Sequence, residues 1–318
     1  MKSSLTILVP LKGRSHHTAE WIKYNIYDEF EYIFSDGSFD NSNKRVLDKV
    51  IDRSNVNYKK FPPDASYYDY YKKMYETTKL IKTDFVMTVD NDDYINPNSL
   101  KKMIYYASHY TSFEIFQGVQ AHIQKKDDKF KLTEFSNFLN SYEGHSKSDI
   151  VNNLYLKHYR NLWYSLIKSE KYLDVWKACK DLNFKNIQTQ EIFLSLYLFL
   201  NNRFKYLPLI SYIKTSNIDD NNASKYKNQK YEFKDFESDI LLIQKYFRDY
   251  SDFDSILFKE NFIKYLGNIK TRPNILKQSI SKISKKIFYH FLPFNSFLVY
   301  SNIIILIINK FSFRKKLL

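Results

Sequence analysis

Glycine is scarce in this chain, five residues in 318, and cysteine scarcer still, with Cys179 alone. A single cysteine excludes an internal disulfide and a thiolate zinc cluster within one chain. Long apolar runs are missing from the start: Leu5–Val9 is too short for the core of a signal peptide, so the body of the protein is expected in the cytoplasm. Acidic residues are absent altogether from Asn261 to Leu318, a stretch that holds 11 Lys and Arg. Of the 49 basic residues, 38 remain for residues 1–260, against 35 acidic ones. The net charge of +14 therefore belongs to a nearly neutral body with a basic tail. A nucleic-acid binder spreads its basic residues over a folded face or groove. Here they are interleaved with apolar runs, and no nucleic-acid partner is expected.

What is present is an ordinary hydrophobic fraction of 44%, enough for a substantial core, with 28 Tyr and 26 Phe. The length suits one large domain with an appendage, or two modest domains. Leu5–Val9 reads as a strand buried on both faces, punctuated by Pro10 and Gly13. A helix follows over about Ser15–Tyr27, then a strand at Glu31–Phe34 ended by Asp36-Gly37-Ser38. Val46–Ile51 is helical in pattern, Val56–Phe61 is a third strand before Pro62-Pro63, and Tyr67–Ile81 is a tyrosine-rich helix. Phe85–Val89 is a fourth strand that stops at Asp90. Strands separated by helices imply an α/β fold with a doubly wound, mostly parallel sheet flanked by helices. Ligands bind such sheets beyond the carboxyl ends of the strands, where Asp36 and Asp90–Asp93 both fall.

Farther on, Met103–Tyr110 reads as helix, Ile115–Gln124 as strand, 151–182 as helix, and Ile187–Leu200 as a helix apolar on nearly every side. The polar span Asn217–Lys230 reads as an exposed loop, dividing the chain into residues 1–216 and a helical extension, 217–318. Phe233–Phe247 and Phe253–Leu266 carry helical spacing within that extension. In the tail, Leu276, Ile280, Ile283, Ile287 and Phe291 share one helical face, with Lys277, Lys282, Lys285 and Lys286 off it. Phe288–Ile308 is strongly apolar, and a helix of that length would be roughly 31 Å long, about a bilayer core. His290, Pro293, Asn295, Ser296, Ser301 and Asn302 interrupt it. Packing on the main domain and a full span remain open, but the charge pattern favours a basic amphipathic segment lying on an anionic membrane surface.

The acidic turn Asp90-Asn91-Asp92-Asp93 carries the chemistry. A sugar–nucleotide bond breaks as the diphosphate leaves, and that leaving group gathers negative charge, which a divalent ion neutralises. Mn²⁺ and Mg²⁺ prefer carboxylate oxygens and keep several waters, so two Asp at i and i+2 suffice. Taken alone, the motif also reads as a solvated turn, where Asp and Asn are favoured for backbone reasons. Its surroundings add to it. Thr83-Asp84-Phe85-Val86-Met87-Thr88-Val89-Asp90-Asn91-Asp92-Asp93, with Pro97 and Leu100 beyond, resembles the Asp-x-Asp-Asp segment of glycosyltransferase family 2, which has the GT-A fold. Ile33-Phe34-Ser35-Asp36-Gly37-Ser38-Phe39-Asp40 is similar to that family's Asp-Asp-Gly-Ser-x-Asp turn, and Leu5–Arg14 to its first strand and nucleotide loop.

The resemblance implies that Asp36 contacts the base or ribose, Asp90 the ribose and metal, and that Asp92 is the principal metal ligand. Val9, Pro10 and Lys12 would line the nucleotide pocket. Arg14 would reach phosphate or stand as an exposed loop cation. It further implies a catalytic base beyond the metal turn, for which Glu191 is the best counterpart, with Asp181 and Asp174 behind it. A glutamate early in a helix also simply complements the helix dipole. Three positions depart from the family pattern: Ser35 for an acid, Lys12-Gly13 for an aromatic–Asn pair, and Gln190 before Glu191. His16, His17, His122 and His145 show no spacing that demands a metal site.

The expected activity is transfer of a sugar from a nucleotide-diphosphate sugar to a glycan or lipid-linked acceptor, by inverting displacement, for a surface polysaccharide. The protein would sit in the cytoplasm, peripheral at the inner face of the cell membrane. A nucleotidyltransferase would share the sheet and the acidic turn, but Leu11-Lys12-Gly13-Arg14 has only one Gly where a Gly-rich phosphate loop would stand. The non-enzymatic alternative is a membrane-associated scaffold with a transferase-like domain.

Overall fold

In the computed structural model the described residues are 4–126, 128–136, 146–154, 161–215, 232–268, 292–299 and 301. The chain opens with β1 (Leu5–Leu11), α1 (Ser15–Asn25), β2 (Glu31–Asp36), α2 (Ser42–Leu47), β3 (Val56–Lys60), α3 (Tyr67–Thr78) and β4 (Phe85–Thr88). β1 pairs in parallel with β2 and β4, and β2 with β3, so the first four strands form the order β3-β2-β1-β4. Crossover helices between parallel strands place the carboxyl ends of β1, β2 and β4 side by side. β1 is buried along almost its whole length, as its unbroken apolar run requires.

Beyond β4 the sheet becomes mixed. β5 (Tyr94–Ile95), α4 (Pro97–His109), β6 (Ile115–Lys126), β7 (Lys129–Ser136) and a single turn α5 (Lys147–Asp149), which runs into a π-helical turn, lead to β8 (Leu166–Lys168). α6 (Ser169–Leu182), α7 (Ile187–Asn201), β9 (Phe204–Thr215), a 3-10 turn (Phe233–Asp235), α8 (Glu237–Tyr246), α9 (Ser255–Asn268) and β10 (Leu292–Pro293) follow. β8 is antiparallel to both β4 and β6, and β9 runs parallel to β6 while pairing antiparallel with β5. β9 thus reaches the turn that follows β4.

Two sequence expectations need correction, and one strand was not foreseen. The second helix is Ser42–Leu47, not Val46–Ile51, because Asn43 and Leu47 supply its buried face and the chain turns away after Asp48. Residues 151–182 are not one helix: Leu166 and Ile167 take sheet partners on both sides, and helix begins only at Ser169. β7 had no expected counterpart, although Phe130 and Leu132 alternate as a half-buried strand does. β9 runs from Phe204 to Thr215 with Pro208 inside it. Pro208 falls at a register shift between β9 and β6, where the lost N–H costs no ladder bond.

A large core joins β1–β4 to α1, α3, α6, α7 and both α8 and α9, and includes Trp21, Trp163 and Trp176. A second cluster lies over β6, β7 and β9, where Phe294, Phe297 and Leu298 pack beside Tyr94 and Phe130. Most of the basic tail, including Leu276–Phe291, lies outside the described residues, as does the expected boundary loop Asn217–Lys230. Among the described residues no helix is long and apolar enough to cross a membrane.

One buried ion pair stands behind the carboxyl ends of β1 and β2. Lys73 on α3 and Asp64 have side chains 2% and 1% exposed, and they bond each other directly. Lys73 Nζ also donates to the Leu11 carbonyl at 3.1 Å, and Asp64 N donates to the Gly37 carbonyl at 2.8 Å. The Asp64 carboxyl lies so close to Gly37 that no Cβ fits there. Burial pushes the Asp64 carboxyl up and the Lys73 ammonium down, each partly restored by the other. Removing one partner of such a pair leaves an uncompensated buried charge, at a cost of about 3–5 kcal/mol. Lys73→Met is therefore expected to lose about that much in urea denaturation, and Lys73→Met with Asp64→Asn to recover part of it. A loss below about 1 kcal/mol in the single variant would show that the pair does not support the fold.

Candidate active site

Three loops converge at the carboxyl ends of the parallel strands. The first, after β1, carries two successive left-handed residues, Gly13 at φ +61° and Arg14 at φ +57°. Glycine adopts this conformation without penalty, whereas Arg14 sits there at a cost of roughly 1–2 kcal/mol. Arg14 is the N-cap residue of α1, and its guanidinium Nη2 lies 2.6 Å from Asp92 Oδ2. The second loop is the Asp36 turn. Asp36 is fully buried; its Oδ1 accepts from Ser38 N at 2.8 Å, and its Oδ2 from Tyr58 Oη at 2.7 Å and Lys60 Nζ at 3.3 Å. The neighbouring Ser35 points the other way, bonding Thr77 at 2.6 Å on α3.

Uncharged side chains stitch the loops together. Asn91 Nδ2 donates to Thr18 Oγ1 at 3.0 Å, and Thr18 Oγ1 to Asn43 Oδ1 at 2.7 Å. Asn43 Nδ2 donates at 2.9 Å to both the Gly13 carbonyl and Ser38 Oγ, while Gly13 N donates to Ser38 Oγ at 2.7 Å. All of Thr18, Ser38, Asn43 and Asn91 are buried, so the bonds among their side chains are made out of water. Asn25 adds a further tie from α1, accepting from Ile95 N at 2.9 Å just past the acidic turn.

The third loop is the acidic turn itself, closed by Asp93 N donating to the Asp90 carbonyl at 3.1 Å. Oxygens of Asp90, Asp92 and Asp93 lie within 4.8 Å of one another. Asp90 Oδ2 accepts from Tyr164 Oη at 2.6 Å, and burial followed by repulsion from Asp92 pushes its carboxyl above the ordinary range. Asp93 is buried and turned inward: it accepts from Tyr212 Oη and from Thr215 N at 2.7 Å, while Thr215 Oγ1 holds the Asp92 carbonyl at 2.6 Å. Burial and then the Asp92 charge push the Asp93 carboxyl up to about 8. The three acids therefore split in role. Asp90 and Asp92 are partly open, and Asp93 anchors the turn to β9. Three convergent carboxylates are hard oxygen donors and fit Mn²⁺ or Mg²⁺.

Glu191 stands one turn into α7, so its position is not that of a first-turn acid. Its Oε2 accepts from Asn161 Nδ2 at 3.4 Å, and its charge acts on Tyr164 and Lys214, which line the same site. Gln190 faces the opposite way into the core, against Cys179 Sγ at 3.6 Å. Asp174 and Asp181 line a separate hollow of about 350 Å³ between α6, α7 and α8. Pro10 is half-buried at the end of β1, and Lys12 is exposed on the loop beyond it. A hollow of about 220 Å³ opens beside Asp92 and is lined by His16, His17, Glu20 and Lys125.

The residues that sequence reasoning missed are Tyr164, Tyr212, Lys214, Thr215 and Asn161. Tyr164 and Tyr212 stack with ring centroids 4.0 Å apart and present their hydroxyls to Asp90 and Asp93. The only signal for Tyr212 and Lys214 was strand alternation at 212 and 214, past a proline that ends most strands.

No protein-family model and no curated protein matches this chain by sequence. Solved structures do. S. aureus TarS residues 1–349, determined alone, matches with a TM-score of 0.58 at 15% identity, over 89% of this chain and 77% of that one. The same fragment in complex with UDP-GlcNAc matches with a TM-score of 0.58 at 15% identity over the same shares of both chains. The fold is that of the GT-A glycosyltransferases. Against TarS in a longer form this chain covers 47% of that chain, with a TM-score of 0.57.

His122 on β6 sits across from Lys214 in the ladder, and burial followed by that ammonium pushes its imidazole down to about 4. The fold thus holds it neutral, while the unfolded chain binds a proton below about 6.5. Its contribution to stability is complete above that pH and is lost as the pH falls towards 4. His122→Asn is expected to flatten that part of the melting-temperature profile between pH 6.5 and 4. Parallel profiles for the two proteins would contradict the assignment.

Proposed function

We propose that the chain is a glycosyltransferase that moves a sugar from a nucleotide-diphosphate sugar to a glycan or lipid-linked acceptor. The observation that carries this reading is the convergence of Asp90 and Asp92, held half-open by buried Asp93, at the strand ends of a GT-A sheet. TarS has been solved with UDP-GlcNAc on the same fold, which supports a nucleotide-sugar donor here.

Asp90 and Asp92 would hold Mn²⁺ or Mg²⁺, which supplies neutralising charge to a departing diphosphate. Pro10, Lys12 and the Asp36 turn would line the nucleotide. Asp36 does so by shaping the turn, since its own oxygens are already engaged. Glu191 would accept the proton of the acceptor hydroxyl as that oxygen bonds the anomeric carbon and the bond from that carbon to phosphate breaks. Asn161 would orient the carboxylate. A single displacement of this kind inverts the anomeric centre. The basic apolar tail would keep the enzyme at an anionic membrane surface, where lipid-linked glycans are assembled.

Asp92→Ala should weaken Mn²⁺-dependent binding of UDP or GDP by at least about tenfold, the scale of one lost charge-assisted contact. Calorimetry with and without Mn²⁺ measures it, and equal binding by both proteins would remove Asp92 from the metal role. Glu191→Gln should keep donor binding and lower turnover about 10²-fold or more. Unchanged turnover would exclude it as the base. Absence of nucleotide binding in the native protein under all conditions would favour the scaffold instead.

A further inference from the structure

Lys214 has no part in the family resemblance, yet the fold brings it to the acidic turn. It lies two residues past Tyr212 on β9 and so projects from the same face of the strand. Tyr212 bonds Asp93 and stacks on Tyr164, and Lys214 Nζ stands 5.8 Å above the Tyr164 ring, whose hydroxyl donates to Asp90. The next residue, Thr215, is pinned by its N–H to Asp93 and by its hydroxyl to the Asp92 carbonyl. The half-buried ammonium therefore lies over the ring whose hydroxyl holds Asp90, while Arg14 approaches Asp92 from the β1 loop.

Four carboxylates, those of Asp90, Asp92, Asp93 and Glu191, act on this one ammonium. Among the described residues none of them lies within ion-pair distance of it. A lysine so placed is a flexible point charge, which suits a phosphate group, whereas the Arg14 guanidinium is already committed to Asp92. A diphosphate entering this site meets several negative charges at short range in a poorly solvated pocket, and repulsion there is strong unless a cation is already present.

We propose that Lys214 is a built-in cation for the donor's diphosphate, giving the site an affinity for nucleoside diphosphates that does not depend on a divalent ion. The proposal rests on the reading of the site as one for a nucleotide sugar. Two consequences follow from the charge. The chain should prefer a nucleoside diphosphate over its nucleoside even in a chelator, and that preference should follow the charge at position 214.

Isothermal titration calorimetry of UDP, GDP, uridine and guanosine tests this, first in EDTA and then with Mn²⁺. It compares the native chain with Lys214→Met, Lys214→Gln and Lys214→Arg, each checked by thermal melting. In EDTA the native chain should bind one of the diphosphates at least about tenfold tighter than the matching nucleoside, the scale of one charge-assisted contact. Lys214→Met and Lys214→Gln should lose that advantage, Lys214→Arg should keep most of it, and all four should bind with Mn²⁺. Native protein that binds diphosphate only with Mn²⁺ would overturn the proposal, as would a folded neutral variant that matches it in EDTA. Native protein that binds no nucleotide even with Mn²⁺ would instead sink the nucleotide-sugar reading on which the proposal stands.

Discussion

Three carboxylates crowded into one four-residue turn repel each other, and the rest of the site is arranged around that repulsion. Asp93 is taken out of the competition by burial and by Tyr212 and Thr215, which tie it to β9. Its removal from solvent fixes where Asp90 and Asp92 point. Tyr164 and Arg14 then each hold one oxygen of the remaining pair. Without β9 crossing from β6 to reach β5, the turn would have no inner anchor. Long-range strand pairing and the local geometry of the acids are therefore one problem.

The parallel half of the sheet was legible because its strands are buried on both faces and read as unbroken apolar runs. Leu5–Val9 and Phe85–Val89 needed only their composition and the acids that end them. Asp36, Asp90 and Asp92 stood out for the same reason, as polar residues at the ends of such runs. The second half was harder. β8 is three residues long and is held by partners on both sides, so its own spacing, set within a helical-looking stretch, carried no strand signal. Tyr164 had no sequence signal and Lys214 only the alternation of its strand, since each acquires its meaning from a neighbour that lies far away along the chain.

Glu191 illustrates the intermediate case. Its residue type and its place after a buried helix start were readable, and Gln190 beside it was an unexplained departure. The helix accounts for the departure, because adjacent residues point about 100° apart: Gln190 enters the core against Cys179, and Glu191 turns towards Asn161. Lys73 and Asp64 work from further back, holding the ends of β1 and β2 at fixed separation through two backbone contacts.

The links between the three loops have a property distinct from those within the acidic turn. Asn91, Thr18, Asn43 and Ser38 are joined by amides and hydroxyls that carry no net charge at any physiological pH. These links are therefore indifferent to protons and ionic strength, while the Arg14–Asp92 and Lys73–Asp64 pairs that work beside them are charged. Neutral hydrogen bonds thus set part of the spacing of the three loops, and the charges of the site are mounted on them.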